Sequence, residues 1–237
     1  FMGNFNNGSL NINVTDNSPY TDHGWNLVGN PYSSSLDWDA SGWNKANIDN
    51  TIYYYSGISG LGNYHYYVGS GSAPYEGLAV NDATNEIPPM QGFFVHASGN
   101  GTFGVDNDAR VHSGQSYYKQ KTETPLMRIL AEGTQGTDET VIRFITEANY
   151  EFDGNFDAYK LFAGDLPQIY TVTTENTELA VNSLPEVTDD LVVPMSFMAP
   201  SMGEYSFTFT ELENFEPDQA IFLEDLLTGT IKEVNPM

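Results

Sequence analysis

Apolar and polar residues alternate along this chain in short runs with a period of two, which is the strand period. Leu10-Asn11-Ile12-Asn13-Val14 places Leu10, Ile12 and Val14 on one face and asparagines on the other, as a half-buried strand near an edge would. Tyr205-Ser206-Phe207-Thr208-Phe209-Thr210 repeats the device with rings inward and hydroxyls outward. Further strands are expected at residues 51–55, 64–68, 90–97, 102–105 and 109–112, then at 126–131, 139–145, 158–163, 168–172, 178–184, 191–197 and 220–223. No long stretch combines apolar positions at three-and-four spacing with a start cap, so the chain reads as all-β.

The organising stretch is Gly24-Trp25-Asn26-Leu27-Val28-Gly29-Asn30-Pro31-Tyr32, a buried strand that stops abruptly. Gly29 is expected to take a positive φ, Asn30 to hydrogen-bond its own backbone, and Pro31 to fix φ and push Asn30 out of the helical region. A second anchor is Ile87-Pro88-Pro89-Met90-Gln91-Gly92-Phe93-Phe94-Val95-His96-Ala97, where the prolines mark a strand entry and Gly92 a bulge or close approach. Trp25, Leu27, Tyr32, Phe93 and Val95 are expected to share one core cluster. Residues 36–43 are too broken for a long element and predict an irregular loop or one helical turn. Thr51-Ile52-Tyr53-Tyr54-Tyr55 and Tyr64-His65-Tyr66-Tyr67-Val68 predict a hairpin whose long connector is the glycine-rich stretch 56–63. Both of its faces carry rings, so one face must be exposed or covered, and the loop 69–86 is the expected cover.

At 237 residues the chain has room for two units of about 115 residues, each large enough for a core. The polar stretch 113–125, with Lys119 and Lys121, is the expected boundary. The expectation is therefore two consecutive β-sandwich domains of jelly-roll or immunoglobulin-like type, residues 1–120 and 121–237. Aromatics make up 14% of the chain, beside 22 glycines and 12 prolines, a turn-rich and strand-rich balance. The opening Phe1-Met2 reads as the start of an internal fragment.

The net charge of −24 is unevenly placed, with 10 acidic and 3 basic residues in 1–120 against 22 and 5 in 121–237. Binding phosphates needs a basic surface, which argues against nucleic acid and against an anionic membrane face. No segment approaches the roughly 18 apolar residues of a membrane span, so no insertion is expected. The chain has no cysteine, and disulfide logic is silent.

Taken in order, Gly24 to Tyr32, Leu36-Asp37-Trp38, Ile87 to Val95, Ala109-Arg110-Val111-His112 and Tyr117-Tyr118-Lys119 resemble the C-terminal region of large secreted surface proteins of Bacteroidetes. Phe152-Asp153, Phe156-Asp157-Ala158-Tyr159-Lys160-Leu161, Ile169-Tyr170-Thr171, Leu179 to Pro185 and Leu223 to Gly229 resemble the β-sandwich that precedes a type IX secretion sorting domain. The resemblance covers nearly the whole chain. It implies a secreted or cell-surface setting rather than a chemistry, and the upstream parts of such proteins vary between adhesion, polysaccharide degradation and proteolysis.

Candidate chemistry is sparse. His23, His65, His96 and His112 have no ligand spacing, no glycine-rich phosphate loop precedes a helix, and no serine sits in a nucleophile elbow. No catalytic residue and no organic cofactor are expected. Calcium is the metal the composition favours, and Asp37 with Asp39, and Asp106 with Asp108, are the local carboxylate clusters, although Asp and Asn also make plain turns. Asp153 and Asp157 are expected to close a loop through side-chain to backbone bonds, and Lys160 to pair with an acid. Tyr53, Tyr55, His65 and Tyr67 would share one face of a regular hairpin, where aromatic faces can dock sugar rings.

The function expected is a non-enzymatic structural or adhesive module of a larger secreted protein, touching other domains of its own polypeptide or neighbouring surface proteins. One alternative is a carbohydrate-binding module on the tyrosine hairpin. The other is a filament subunit completed by a donated strand. If the sheet ends near Ile231, an edge and part of an apolar face stay open, to be closed by chain beyond Met237 or by a neighbour's strand.

Overall fold

The computed structural model describes residues 5–19, 22–58, 61–71, 75–112, 124–216 and 219–234. The earlier strands are β1 (Leu10–Val14), β2 (Trp25–Gly29), β3 (Ser35–Asp37), β4 (Trp43–Asn44), β5 (Ile48–Ile58), β6 (Leu61–Val68), β7 (Leu78–Val80), β8 (Glu86–Ile87), β9 (Gly92–Ala97), β10 (Gly101–Val105) and β11 (Arg110–Val111). The later ones are β12 (Leu126–Gly133), β13 (Gly136–Phe144), β14 (Ala158–Tyr159), β15 (Gln168–Val172), β16 (Glu178–Leu184), β17 (Met195–Met198), β18 (Ser206–Thr210), β19 (Phe222–Asp225) and β20 (Thr230–Glu233).

The architecture is all-β and layered. Two small sheets, β1-β10-β4 and β11-β3-β8, form the first layer, and β2-β9-β5-β6-β7 forms the second. The third is a seven-stranded sheet along the path β17-β15-β16-β13-β12-β18, with β14 pairing to β16. In it β13 and β16 run parallel. The β19-β20 hairpin pairs only with itself among the described residues.

The middle sheet is buried on both faces. Val28, Ile52, Tyr67, Phe93 and Val95 on one face pack against Val14, Leu36, Trp38, Ile87 and Phe103 of the first layer. Tyr53, Tyr66, Val68, Leu78 and Val80 on the other pack against Leu126, Val141, Ala158, Ala180 and Val181 of the third. The cover over the hairpin's second face is thus the later sheet, not the loop 69–86, part of which is itself strand β7. The expected boundary at 113–125 falls almost wholly outside the described residues, and the earlier and later strands share this middle core.

Hydroxyls at that core explain why the rings are tyrosines. The Tyr53 hydroxyl accepts from the Tyr159 backbone N–H at 3.1 Å. The Tyr66 hydroxyl donates to the Leu161 carbonyl at 2.8 Å and accepts from the Leu161 N–H at 3.1 Å. The segment 159–161 leaves the sheet here, and its orphaned backbone groups are satisfied by side chains of the opposite layer. Burial raises both phenols well above their ordinary pKa, so they stay protonated.

Several expectations need correction. Leu27 shares a strand with Trp25 but is 68% exposed, and Trp25 packs on the middle core rather than with Tyr32, Phe93 and Val95. Both point from β2 to its second face, which the later sheet covers only in part. Gly29 has no positive φ and ends β2 opposite Gly92, while Met90 (φ 65) takes the left-handed position in the facing turn. Asn30 makes the turn. Its Oδ1 accepts from Tyr32 N–H at 2.9 Å, and its Nδ2 donates to the carbonyls of Ser34, Ile87 and Pro88 at 2.8, 3.0 and 3.0 Å. Pro31 follows it, half-buried. Gly92 lies in an unbroken ladder, and a Cβ there would meet nothing nearer than 3.7 Å. Residues 36–43 connect the short paired strands β3 and β4 through plain turns and form no helical turn. The tyrosine hairpin pairs as far as Ile58 and Leu61, because Tyr55 lays its ring over Gly62 and fills the space its missing side chain leaves.

A polar tie crosses the same junction. Asp157 is fully buried, and its carboxylate accepts from the N–H groups of Asp153 and Ser183, both at 2.7 Å. Its carbonyl accepts from the Thr51 hydroxyl at 2.9 Å. Arg143 donates to the Phe156 carbonyl at 2.8 Å and the Ser183 hydroxyl at 2.9 Å. Burial pushes the Asp157 carboxyl up to about 7, against the opposing pull of those hydrogen bonds and of Arg143.

This junction can be tested in two ways. Tyr66→Phe keeps the ring but strands two backbone groups, and chemical denaturation is expected to show a loss of about 1–3 kcal/mol; a neutral result would remove the tie. For Asp157 the folded pKa lies above the ordinary 3.8, so its protonation favours the folded state. That contribution is complete below pH about 4 and is lost as pH rises through about 7. The melting temperature is expected to fall between pH about 5 and about 7.5, and less steeply in Asp157→Asn; parallel profiles for the two proteins would contradict the assignment.

Candidate functional site

The hairpin does not carry the four expected residues on one face. Opposite residues of an antiparallel pair point the same way, and the register pairs Tyr53 with Tyr66, Tyr54 with His65 and Tyr55 with Tyr64. Tyr53 and Tyr55 therefore share the second face with Tyr64 and Tyr66, whereas His65 and Tyr67 lie on the first. Tyr53 and Tyr67 are buried, and among the four only Tyr55 is exposed. His65 is held by the Ser56 hydroxyl at 2.6 Å and the Asn81 carbonyl. The structure divides these residues between two faces and buries Tyr53 and Tyr67, so they form no open row of rings.

The open apolar surface is on the third sheet. Its face turned away from the middle sheet packs Ile129, Ala131, Ile142, Phe144, Ile169 and Leu184 into a buried cluster. Around them Met195, Phe197, Phe207, Phe209 and Phe215 are only half-buried. The ends of the path, β17 and β18, curl toward each other until Phe197 meets Phe207 edge-on at 5.0 Å and Tyr205 at 5.1 Å. No ladder joins these two strands among the described residues. Each presents a free backbone edge beside a row of rings, the template that strand addition requires. Beyond them the β19-β20 hairpin carries Leu226 and Leu227 at its tip, 87% and 94% exposed. A smaller cleft of about 80 Å³ opens between β1 and β2, lined by Leu10, Ile12, Val28, Trp43 and Phe103. It explains why inward-facing Ile12 is 48% exposed.

Three of the four candidate metal carboxylates, those of Asp37, Asp39 and Asp106, are engaged by protein groups. Asp37 accepts from the Asp39 N–H at 2.9 Å and the Asn85 amide at 2.8 Å, and Asp39 from the Tyr67 hydroxyl at 2.5 Å and the Ser70 N–H at 2.7 Å. Lys45 stands nearby, its ammonium 3.8 Å from the Trp38 ring and donating to the Trp38 carbonyl. Burial lowers its pKa to about 8, with Asp39 and Asp37 opposing. Asp106 caps a short 3₁₀ turn (Asn107–Ala109) by accepting from the Asp108 N–H at 2.9 Å, and Asp108 is exposed. Asp153 accepts from the Asn155 N–H at 3.0 Å. His96 pairs with buried Asp49 at 2.6 Å and His23 with Asp16 at 2.5 Å. Among the described residues no three His, Cys, Asp or Glu side chains are arranged to hold a metal, and no helix is long and apolar enough to cross a membrane. With three of the four carboxylates held by protein donors and no cluster of three such side chains, a calcium chelator is expected to lower the melting temperature by less than about ten degrees, measured by differential scanning calorimetry; a larger drop would restore a structural ion.

Residues 1–236 match the model of a family described as a domain of unknown function, DUF8693. The chain is also similar to the minor fimbrium subunit Mfa5 of Porphyromonas gingivalis, 23% identical over 254 residues that take in 94% of this chain. It spans 20% of the length of that relative. No solved structure matches it. Since one family model runs through the earlier strands, the later strands and the core they share, the chain belongs to the DUF8693 family.

Proposed function

We propose that this chain is a non-enzymatic structural module of a bacterial surface filament or adhesive assembly. The likeness to a fimbrium subunit supports that setting, and the resemblance of its motifs to secreted Bacteroidetes proteins supports export, including the type IX route. The observation that carries the reading is the opening between β17 and β18, where two edges unpaired among the described residues frame half-buried rings. An isolated globular surface rarely keeps such a face, and a strand laid between the edges would cover it. The partners are other domains of the same polypeptide or neighbouring surface proteins. The strand-completed subunit is the specific form this opening favours, whereas the buried Tyr53 and Tyr67 give a glycan platform no such support.

Thr208 and Ser196 lie on these edges and alternate with the inward rings. A lysine at either position guards an edge while leaving the ring row intact. In the source protein on its own cells, Thr208→Lys with Ser196→Lys is expected to lower the fraction recovered in sheared surface assemblies by about tenfold or more. The melting temperature of the isolated chain is expected to shift by only a few degrees. Unchanged incorporation would sink the strand-completed form, and absence of the wild-type protein from surface fractions would sink the reading as a whole.

A further inference from the structure

Among the ion pairs of the described residues, Lys160 with Asp138 is the one whose two side chains are both completely buried. Lys160 Nζ lies 2.5 Å from Asp138 Oδ2. Two more donors fix the carboxyl group. Asn81 Nδ2 reaches Oδ1 at 3.0 Å, and the Ile169 N–H reaches Oδ2 at 2.8 Å. The Tyr66 ring stands 5.8 Å from the ammonium, on the side of the middle sheet. The amine and the carboxyl group are thus held in contact at a site closed to solvent, with one donor besides Lys160 on each carboxyl oxygen.

We propose that Lys160 and Asp138 join in an intramolecular amide bond. Proton transfer within the pair leaves a neutral amine and a carboxylic acid. Nζ adds to Cγ, and the charge that develops on Oδ1 is met by the Asn81 amide. Oδ2, assisted by the Ile169 N–H, then leaves as water with two hydrogens that began on the pair, and the amide retains one hydrogen on Nζ. No oxidant, metal or cofactor enters the balance. Burial lowers the pKa of Lys160, which favours the neutral amine. Fixed intramolecular geometry supplies effective concentrations of about 10⁵–10⁸ M, and a site closed to water resists the reverse hydrolysis. The bond would tie the start of β13 to the segment after β14, 22 residues along the chain, at the point where the third sheet meets the middle one.

This inference does not depend on the assembly reading, and mass spectrometry decides it. The whole purified chain, denatured before measurement, is expected to be lighter than its sequence by one water, about 18 Da. Digestion is expected to give one branched peptide joining residue 160 to residue 138. Lys160→Arg and Asp138→Ala should each return the full sequence mass. A wild-type chain of full sequence mass, with only linear peptides, would overturn the proposal and leave an ion pair. The wild-type measurement suffices even if neither variant folds.

Discussion

Tyr53 and Tyr66 each place a ring in the core and a hydroxyl on the backbone of residues 159–161, and this double use allows a sheet to be buried on both faces. A sheet flanked on both sides must meet only apolar or satisfied groups. Part of the later layer, however, approaches it as a two-residue strand and irregular chain, whose peptide groups have lost water. Phenylalanine at these positions would supply the area without the partners. Around them Thr51, Arg143, Ser183 and Asp157 add further hydrogen bonds across the same junction.

Charge is managed by the same separation. The later residues carry most of the negative charge, yet the cations Arg143 and Lys160 are buried among acceptors. Removing one member of such a group leaves an unpaired buried charge, which is costlier than never having built it. The surface keeps the excess acid, which favours solubility and disfavours contact with like-charged polymers.

The apolar surface left open is placed away from this junction. Among the described residues the third sheet stops pairing at β17 and β18 while its rings remain half-exposed, and the β19-β20 hairpin joins no buried cluster. A firmly tied centre and an open edge are the two features on which the proposed structural module rests. The chain spans 20% of the length of the fimbrium subunit it resembles.

The all-β class is written in the chain, because a period of two in Leu10 to Val14 or Tyr205 to Thr210 leaves no other regular structure. So is most strand placement in the later residues, and so is the turn at Asn30, since its side chain needs only the residues beside it and the facing loop. What is illegible depends on register and on what lies across a layer. The faces of Tyr53 and His65 follow from which residue opposes which, and a slip of one position moves a side chain to the other side of the sheet. At the hairpin tip the glycines of the connector suggest a loop, yet the ring of Tyr55 lying over Gly62 keeps the two strands paired there. The partner of Lys160 cannot be chosen among 32 acidic residues by spacing. Asp138 is selected by the packing of β13 beside the segment after β14, because only that packing excludes water from both groups at once.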